Sequence, residues 1–149
     1  MAPRLLPDDF KEFIQCLNKH RVRYLLVGGW AVGIYGNPRA TKDIDFLIST
    51  DDENIGKLQP ALLEFGAPTV PDTVFQEPGN VFRMGISPVQ IDIINRASGV
   101  EFDECYARRE MLTAEDVEIS VISREDLVRN KKASGRLRDL ADVEFLEGD

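Results

Sequence analysis

The run YLLVGGWAVGIYGNPRATKDIDFLI, from Tyr24 to Ile48, constrains the fold more than any other part of the chain. A short apolar segment, Tyr24-Leu25-Leu26-Val27, ends on two glycines, Gly28 and Gly29. A second apolar segment carries Asp43-Ile44-Asp45 inside it. Side chains alternate faces along a strand, so Asp43 and Asp45 project from one side and Ile44, Phe46 and Ile48 from the other. Two carboxylates side by side repel, and a shared proton or a shared cation relieves them. All-oxygen ligands suit Mg²⁺ or another hard cation. The glycine pair, with no Cβ, lets a phosphate approach the backbone N–H groups at a helix start. A phosphate cradle followed by paired carboxylates implies handling of a nucleoside triphosphate (NTP).

The rest of the chain is read around that stretch. Its 149 residues suffice for one domain with a real core, and the expectation is a single domain over 1–149 with a helix pair at 124–147. No apolar run approaches the roughly 20 residues of a membrane span. The start, MAPRLLPDDF, places a proline and acids where a signal peptide needs apolar residues. The expectation is a cytoplasmic protein with no membrane partner. Cys16 and Cys105 are far apart and read as reduced core thiols. His20 is the only histidine, which excludes a His-rich metal site. The formal net charge of −8 argues against wholesale nucleic-acid binding, though not against a local basic patch.

Phe10, Phe13, Ile14 and Leu17 fall on one helical face over 8–19, after Pro7. Strands are expected at Tyr24–Val27 and Lys42–Ser49, with a short helix at Trp30–Tyr35 between them. Thr50-Asp51-Asp52-Glu53 offers an N-cap and acids for a helix running to Phe65, bent at Pro60. The stretch 66–80, rich in Pro and Gly, reads as a loop. Val81–Ile86 and Val89–Asn95 read as strands joined at Ser87-Pro88. A helix is expected at Phe102–Met111 and a strand at Val117–Ile122. Ser123-Arg124-Glu125-Asp126 fits a capping box for a helix to Ser134. Gly135 breaks it before a last helix, Leu137–Leu146. Apolar runs alternating with helical faces imply an α/β (α+β) fold, a mixed sheet with helices mainly on one face.

Asp92 lies within Val89-Gln90-Ile91-Asp92-Ile93-Ile94. A charge inside an apolar strand is costly unless paired or metal-bound. A structural ion pair is the plainer explanation for it, as solvated edge acids are for Asp43 and Asp45. Together, three carboxylates on adjacent strands can hold two divalent ions, which polarise a triphosphate and activate an attacking hydroxyl. Arg39, Thr41 and Lys42 precede the acids and suit triphosphate oxygens, or a solvated turn. Arg129, Lys131, Lys132, Arg136 and Arg138 form a solvated helix face or an anion contact. Asp139 and Asp142 are expected to pair with Lys132 and Arg138.

These residues resemble the nucleotidyltransferase superfamily with the DNA polymerase β-like fold. The shared pattern is a strand, Gly-Gly, a short helix, Arg39-x-Thr41-x-Asp43-x-Asp45, and a lone Asp92 on a third strand. The segment from Asn130 to Asp142, NKKASGRLRDLAD, is similar to the helix pair of the AbiEii-type branch, which includes toxins of toxin–antitoxin systems. The resemblance implies Asp43, Asp45 and Asp92 as ligands of Mg²⁺ or Mn²⁺ and Asp92 as a base. It implies Gly28 and Gly29 around the phosphates, and Lys131 or Lys132 on phosphate. It further implies transfer of an NMP from an NTP to the hydroxyl of tRNA, a protein or a small molecule, with a cognate antitoxin as partner. Where many members carry Ser after the glycines, this chain has Trp30. An indole packs in the core or stacks on a base, but it does not supply that hydroxyl. The competing expectation is a catalytically silent module that binds nucleotide or a protein partner. Asp-x-Asp glycosyltransferases need a longer domain, and Asp-x-Asp phosphatases carry the motif on their first strand, so neither fits.

Overall fold

The computed structural model describes residues 6–36, 43–86 and 89–148. The elements in chain order are α1 (Asp8–Lys19), β1 (Tyr24–Val27), α2 (Gly28–Ile34), β2 (Asp43–Ile48), α3 (Asp52–Phe65) and α4 (Thr73–Gln76). They continue with β3 (Val81–Ile86), β4 (Val89–Ile94), α5 (Phe102–Ala107), β5 (Glu110–Ala114), β6 (Val117–Val121), α6 (Arg124–Ser134) and α7 (Leu137–Glu147). The strands form one mixed sheet in the order β3-β4-β2-β1-β6-β5. β1 runs antiparallel to β2 and parallel to β6, while β2 and β4 are parallel neighbours. This is the mixed α/β architecture implied by the alternation of apolar runs and helical faces.

The alternation along β2 divides the sheet. Ile44, Phe46 and Ile48 are buried, and α1 and α3 pack against this side. Phe13 of α1 meets Phe46 edge-on at 5.3 Å and Phe65 of α3 at 5.1 Å. Tyr24 joins from β1, with its ring 5.6 Å from Phe46. Edge-to-face pairs of this kind add about 0.5–1.5 kcal/mol each beyond the area they bury. The opposite side of β2 carries Asp43 and Asp45.

Local signals set the helix ends. Asp51 caps α3 by accepting from the Asn54 N–H at 2.7 Å, and Gly66 closes it in the left-handed conformation at φ 98°. Pro60 sits inside α3 without ending it. Ser123 caps α6 by accepting from the Asp126 N–H at 3.1 Å. The reciprocal half of the box is not made through Asp126. Its carboxylate accepts from both Arg108 and Arg129 instead.

The structure departs from the sequence expectations in several elements. The helix expected over Phe102–Met111 stops at Ala107, and Glu110–Ala114 pairs with β6 as an edge strand. The turn between them is Glu115-Asp116, both left-handed at φ 50° and 68°, as a two-residue hairpin requires. The stretch 66–80 contains α4, whose Phe75 is buried against Phe82 of β3 at 5.3 Å. The short helix starts at Gly28 rather than Trp30. The strand expected to reach Asn95 ends at Ile94, because the Asn95 side chain is committed elsewhere: it donates to the carbonyls of Phe75 and Glu77 and accepts from Gly79 N–H. Arg39, Thr41, Lys42 and the Ser87-Pro88 turn lie outside the described residues.

Both cysteines are buried and free, as their spacing suggested. Burial, and after it the Asp126 charge, pushes the Cys105 thiol up to about 11, so it is an inert core group. No helix among the described residues is long and apolar enough to cross a membrane.

Candidate functional site

Strand register assembles the carboxylates. Val27 on β1 stands opposite Asp45 on β2, Asp45 opposite Asp92 on β4, and Asp92 opposite Arg83 on β3. Asp43 stands opposite Gln90 in the next row. Residues directly opposite on neighbouring strands share a face and sit about 5 Å apart. Asp43, Asp45 and Asp92 therefore occupy one face, turned away from the side that α1 and α3 cover.

Asp45 shows what this crowding costs. Its carboxyl is pushed up to about 6, first by burial, then by the charge of Asp92 and then by that of Asp43. Lys131 and Arg83 act in the opposite sense, so two cations face the same cleft. Gly28 closes the cleft from the α2 side. It is left-handed at φ 69°, and a Cβ placed on it would lie 2.4 Å from Asp45 Oδ2. Only glycine suits both conditions. Gly29 follows as the second residue of α2.

Asp92 is held by a residue that sequence reasoning passed over. Its side chain is only 7% exposed, and it accepts from Arg83 Nε at 3.0 Å and Arg83 Nη2 at 3.2 Å. Gln90 Nε2 adds a longer contact of 3.4 Å to Oδ1. A usable signal was present: Arg83 and Asp92 lie equally far from Ser87-Pro88, so closing the β3–β4 hairpin pairs them.

Lys131 reaches the site from α6. It is buried, with Nζ 3.0 Å from Asp139 Oδ1 and 3.3 Å from Asp142 Oδ2 on α7. Gly135, at φ 67°, turns the chain so that α7 folds back on α6. Asp139 also accepts from Arg136 Nε at 2.7 Å and from Ser134 Oγ. Burial alone would raise the Asp139 carboxyl, but the bonds from Ser134, Arg136 and Lys131 prevail and hold it well below the usual carboxylate range. The expected pairing of Asp139 and Asp142 with Lys132 and Arg138 is thereby corrected. Lys132 lies on the outer side of α6 and pairs with Glu147 at 3.0 Å. Within the cationic set, Lys131 faces the carboxylates, while Arg129 is drawn off by Asp126 at 2.6 Å.

Trp30 lies in the core. It is 4% exposed, and its ring meets Phe10 of α1 edge-on at 5.6 Å. Of the two roles open to the indole, the geometry matches packing rather than base stacking.

The chemistry of the donor set fits a hard divalent cation. The candidate ligands are carboxylate oxygens, and the Asp45 carboxyl is raised first by burial and then by its two acidic neighbours. Among the described residues, no group of three His, Cys, Asp or Glu side chains is drawn together as a ready-made cage. Arg83 engages both oxygens of Asp92 where a cation would bind.

The fold has solved counterparts. An antigenic nucleotidyltransferase-like protein from Paracoccidioides brasiliensis superposes with a TM-score of 0.60 at 19% identity, over 95% of this chain and 77% of that one. The lincosamide antibiotic adenylyltransferase LnuA, solved with lincomycin bound, gives 0.58 at 15% identity, over 96% and 97% of the two chains. ANT(2")-Ia in complex with adenylyl-2"-tobramycin gives 0.55 at 13% identity, over 92% and 84%. At these identities the likeness is one of fold. No curated protein sequence matches the chain. The family model described as "nucleotidyltransferase of unknown function (DUF6036)" matches residues 8–146, from the first residue of α1 into the last turn of α7. With its sheet order, its carboxylate face and this match over nearly its whole length, the chain belongs to the DUF6036 family of nucleotidyltransferases.

Proposed function

We propose that the protein transfers a nucleoside monophosphate from an NTP to an acceptor hydroxyl. The observation that carries this reading is the placing of Asp45 and Asp92 directly opposite one another on parallel strands, with Gly28 closed against Asp45. Asp43, Asp45 and Asp92 are the proposed holders of Mg²⁺ or Mn²⁺, which supplies positive charge to the triphosphate and lowers the barrier to attack at the α-phosphorus. Gly28 and Gly29 leave room for a phosphate beside the start of α2. Lys131, held by Asp139 and Asp142, contributes a charge that acts on Asp45 in the same cleft. Arg39, Thr41 and Lys42 precede β2 in sequence and are assigned to the triphosphate on chemistry alone. Asp92 is the candidate base for the acceptor hydroxyl once it is freed from Arg83.

A small hydroxyl-bearing molecule is the favoured acceptor over tRNA. Two of the fold neighbours are named for antibiotics, and the net charge of −8 disfavours a polyanion. The similarity of 130–142 to the AbiEii-type branch supports a narrower version, a toxin with a cognate antitoxin, in which the acceptor is tRNA or protein. One assay separates these. Purified protein is incubated with Mg²⁺, each α-labelled NTP in turn, and tRNA, protein or aminoglycoside and lincosamide acceptors. Label on any acceptor that is lost in Asp45→Asn supports transfer, and label on none of them, including the protein itself, counts against it.

One observation favours a second reading. Trp30 stands where many members carry a serine, and it is committed to the core against Phe10. In that reading the chain is a silent module that binds nucleotide without transferring it. Calorimetry that detects Mn²⁺-dependent NTP binding, in protein that labels no acceptor, would select it.

A further inference from the structure

Arg83 is a charged residue of the carboxylate row to which the nucleotidyl-transfer reading gives no task. It grips Asp92 with two parallel N–H bonds, the arrangement that best matches a carboxylate. The two partners are unequal. Asp92 is buried at 7% exposure, whereas the Arg83 side chain is 59% exposed on β3, the edge strand of the sheet. Among the described residues no strand lies beyond β3 to confine that side chain. A guanidinium fork that fits a carboxylate also fits a phosphate.

We propose that Arg83 is a resident counter-ion that occupies Asp92 until a divalent cation arrives with its nucleotide, and that it then moves from Asp92 to the nucleotide's phosphates. The proposal rests on the nucleotidyl-transfer reading of the site and adds a regulation to it. Three features carry it. Both Asp92 oxygens are engaged by the guanidinium, so a cation approaching Asp92 meets its repulsion and competes with it for the carboxylate. The freed arginine stays tethered in the row that holds Asp45. Its charge already acts on Asp45, so it need not travel far to face an anion brought there by a cation. The device makes cation binding weak by itself and strong in the presence of triphosphate. Asp92 is thereby protected from a futile metal, and the buried carboxylate is never left without a positive partner.

The test uses the full chain, Arg83→Met and Arg83→Lys, with Mn²⁺ and inorganic tripolyphosphate as probes. In calorimetry with Mn²⁺ alone, Arg83→Met is expected to bind at least about 10-fold more tightly than wild type. With Mn²⁺ saturating, its affinity for tripolyphosphate is expected to fall by about 10-fold or more. Metal-free Arg83→Met should melt earlier than wild type and regain more of its melting temperature on adding Mn²⁺. Arg83→Lys keeps the charge but loses the fork, and it should fall between the two in both titrations. It also serves if Arg83→Met does not fold. Unchanged or weaker Mn²⁺ binding in the variants, with wild type binding Mn²⁺ and NTP normally, overturns the latch and leaves the nucleotidyl-transfer reading intact. Wild type that binds neither Mn²⁺ nor NTP overturns both.

Discussion

At the scale of single residues, the cleft is a place where the fold gives up stability. Asp45 is raised from 3.8 to about 6 in the folded protein. Below about pH 4 both folded and unfolded chains are protonated there, and the group has no effect. Between about pH 4 and 6 the folded state binds more protons, so stability falls as pH rises, and above about 6 the full cost remains, on the order of 2–3 kcal/mol. Metal-free Asp45→Asn should therefore melt higher than wild type at pH 7.5 and nearly with it at pH 4. Melts of both proteins in chelator, at the two pH values, measure this. A mutant clearly less stable at pH 7.5 would make Asp45 a structural partner of Lys131 and remove the cation from the argument. Gly28 gives a companion prediction. Gly28→Ala must adopt a left-handed conformation costing about 1–2 kcal/mol, and its methyl must displace the Asp45 carboxylate. Loss of thermal stability together with loss of NTP affinity is the expected outcome, whereas an unchanged affinity would mean that no ligand approaches Asp45 across Gly28.

At the scale of elements, the α6–α7 pair holds one lysine between two acids. Removing that lysine by Lys131→Met leaves Asp139 and Asp142 buried beside each other, and the cost should be about 3–5 kcal/mol. Lys132→Ala removes only an exposed pair with Glu147 and should cost less than about 1 kcal/mol. Chemical denaturation of the two variants compares them directly, and equal losses would contradict the assignment of Lys131 as the buried member. The sequence could not choose between these lysines, because adjacent helix positions differ by only about 100° and the deciding contact comes from α7. The β3–β4 hairpin and the three acids were legible, since alternation and turn position fix which residues share a face. β5 was not, because an edge strand with one face in solvent carries little apolar alternation, and a Glu115-Asp116 turn lacks the usual glycine. Trp30 was legible only as a choice of two roles. Its helix carries it to Phe10, so Trp30→Ala should cost about 3–5 kcal/mol as a large-to-small core change, measured by denaturation.

At the scale of the whole molecule, the sheet order explains why residues so far apart in sequence act together. Placing β4 beside β2 sets Asp92 against Asp45, and the α6–α7 pair holds Lys131 where its charge acts on Asp45. Arg83 and Lys131 both act on Asp45 in a chain whose formal net charge is −8. Close carboxylate pairs at about 4 Å repel by roughly 4 kcal/mol at an effective dielectric near 20. In metal-free protein, Arg83, Lys131 and the readier protonation of Asp45 share the relief of that repulsion. In the proposed reading a divalent cation would turn the same repulsion into ligation, and its remaining positive charge would draw the triphosphate. Transfer should therefore vanish in chelator and return with Mg²⁺ or Mn²⁺. Asp45→Asn and Asp92→Asn should each lose at least about 100-fold in transfer rate, about 3 kcal/mol of barrier. The two variants should also part company in the absence of metal. Asp45→Asn relieves a repulsion, whereas Asp92→Asn strips Arg83 of its partner and should stabilise less or not at all. Rates under NTP saturation, read beside metal-free melts of the same preparations, test the two halves together. Full transfer in either variant would exclude that carboxylate from the reaction, whatever the melts show.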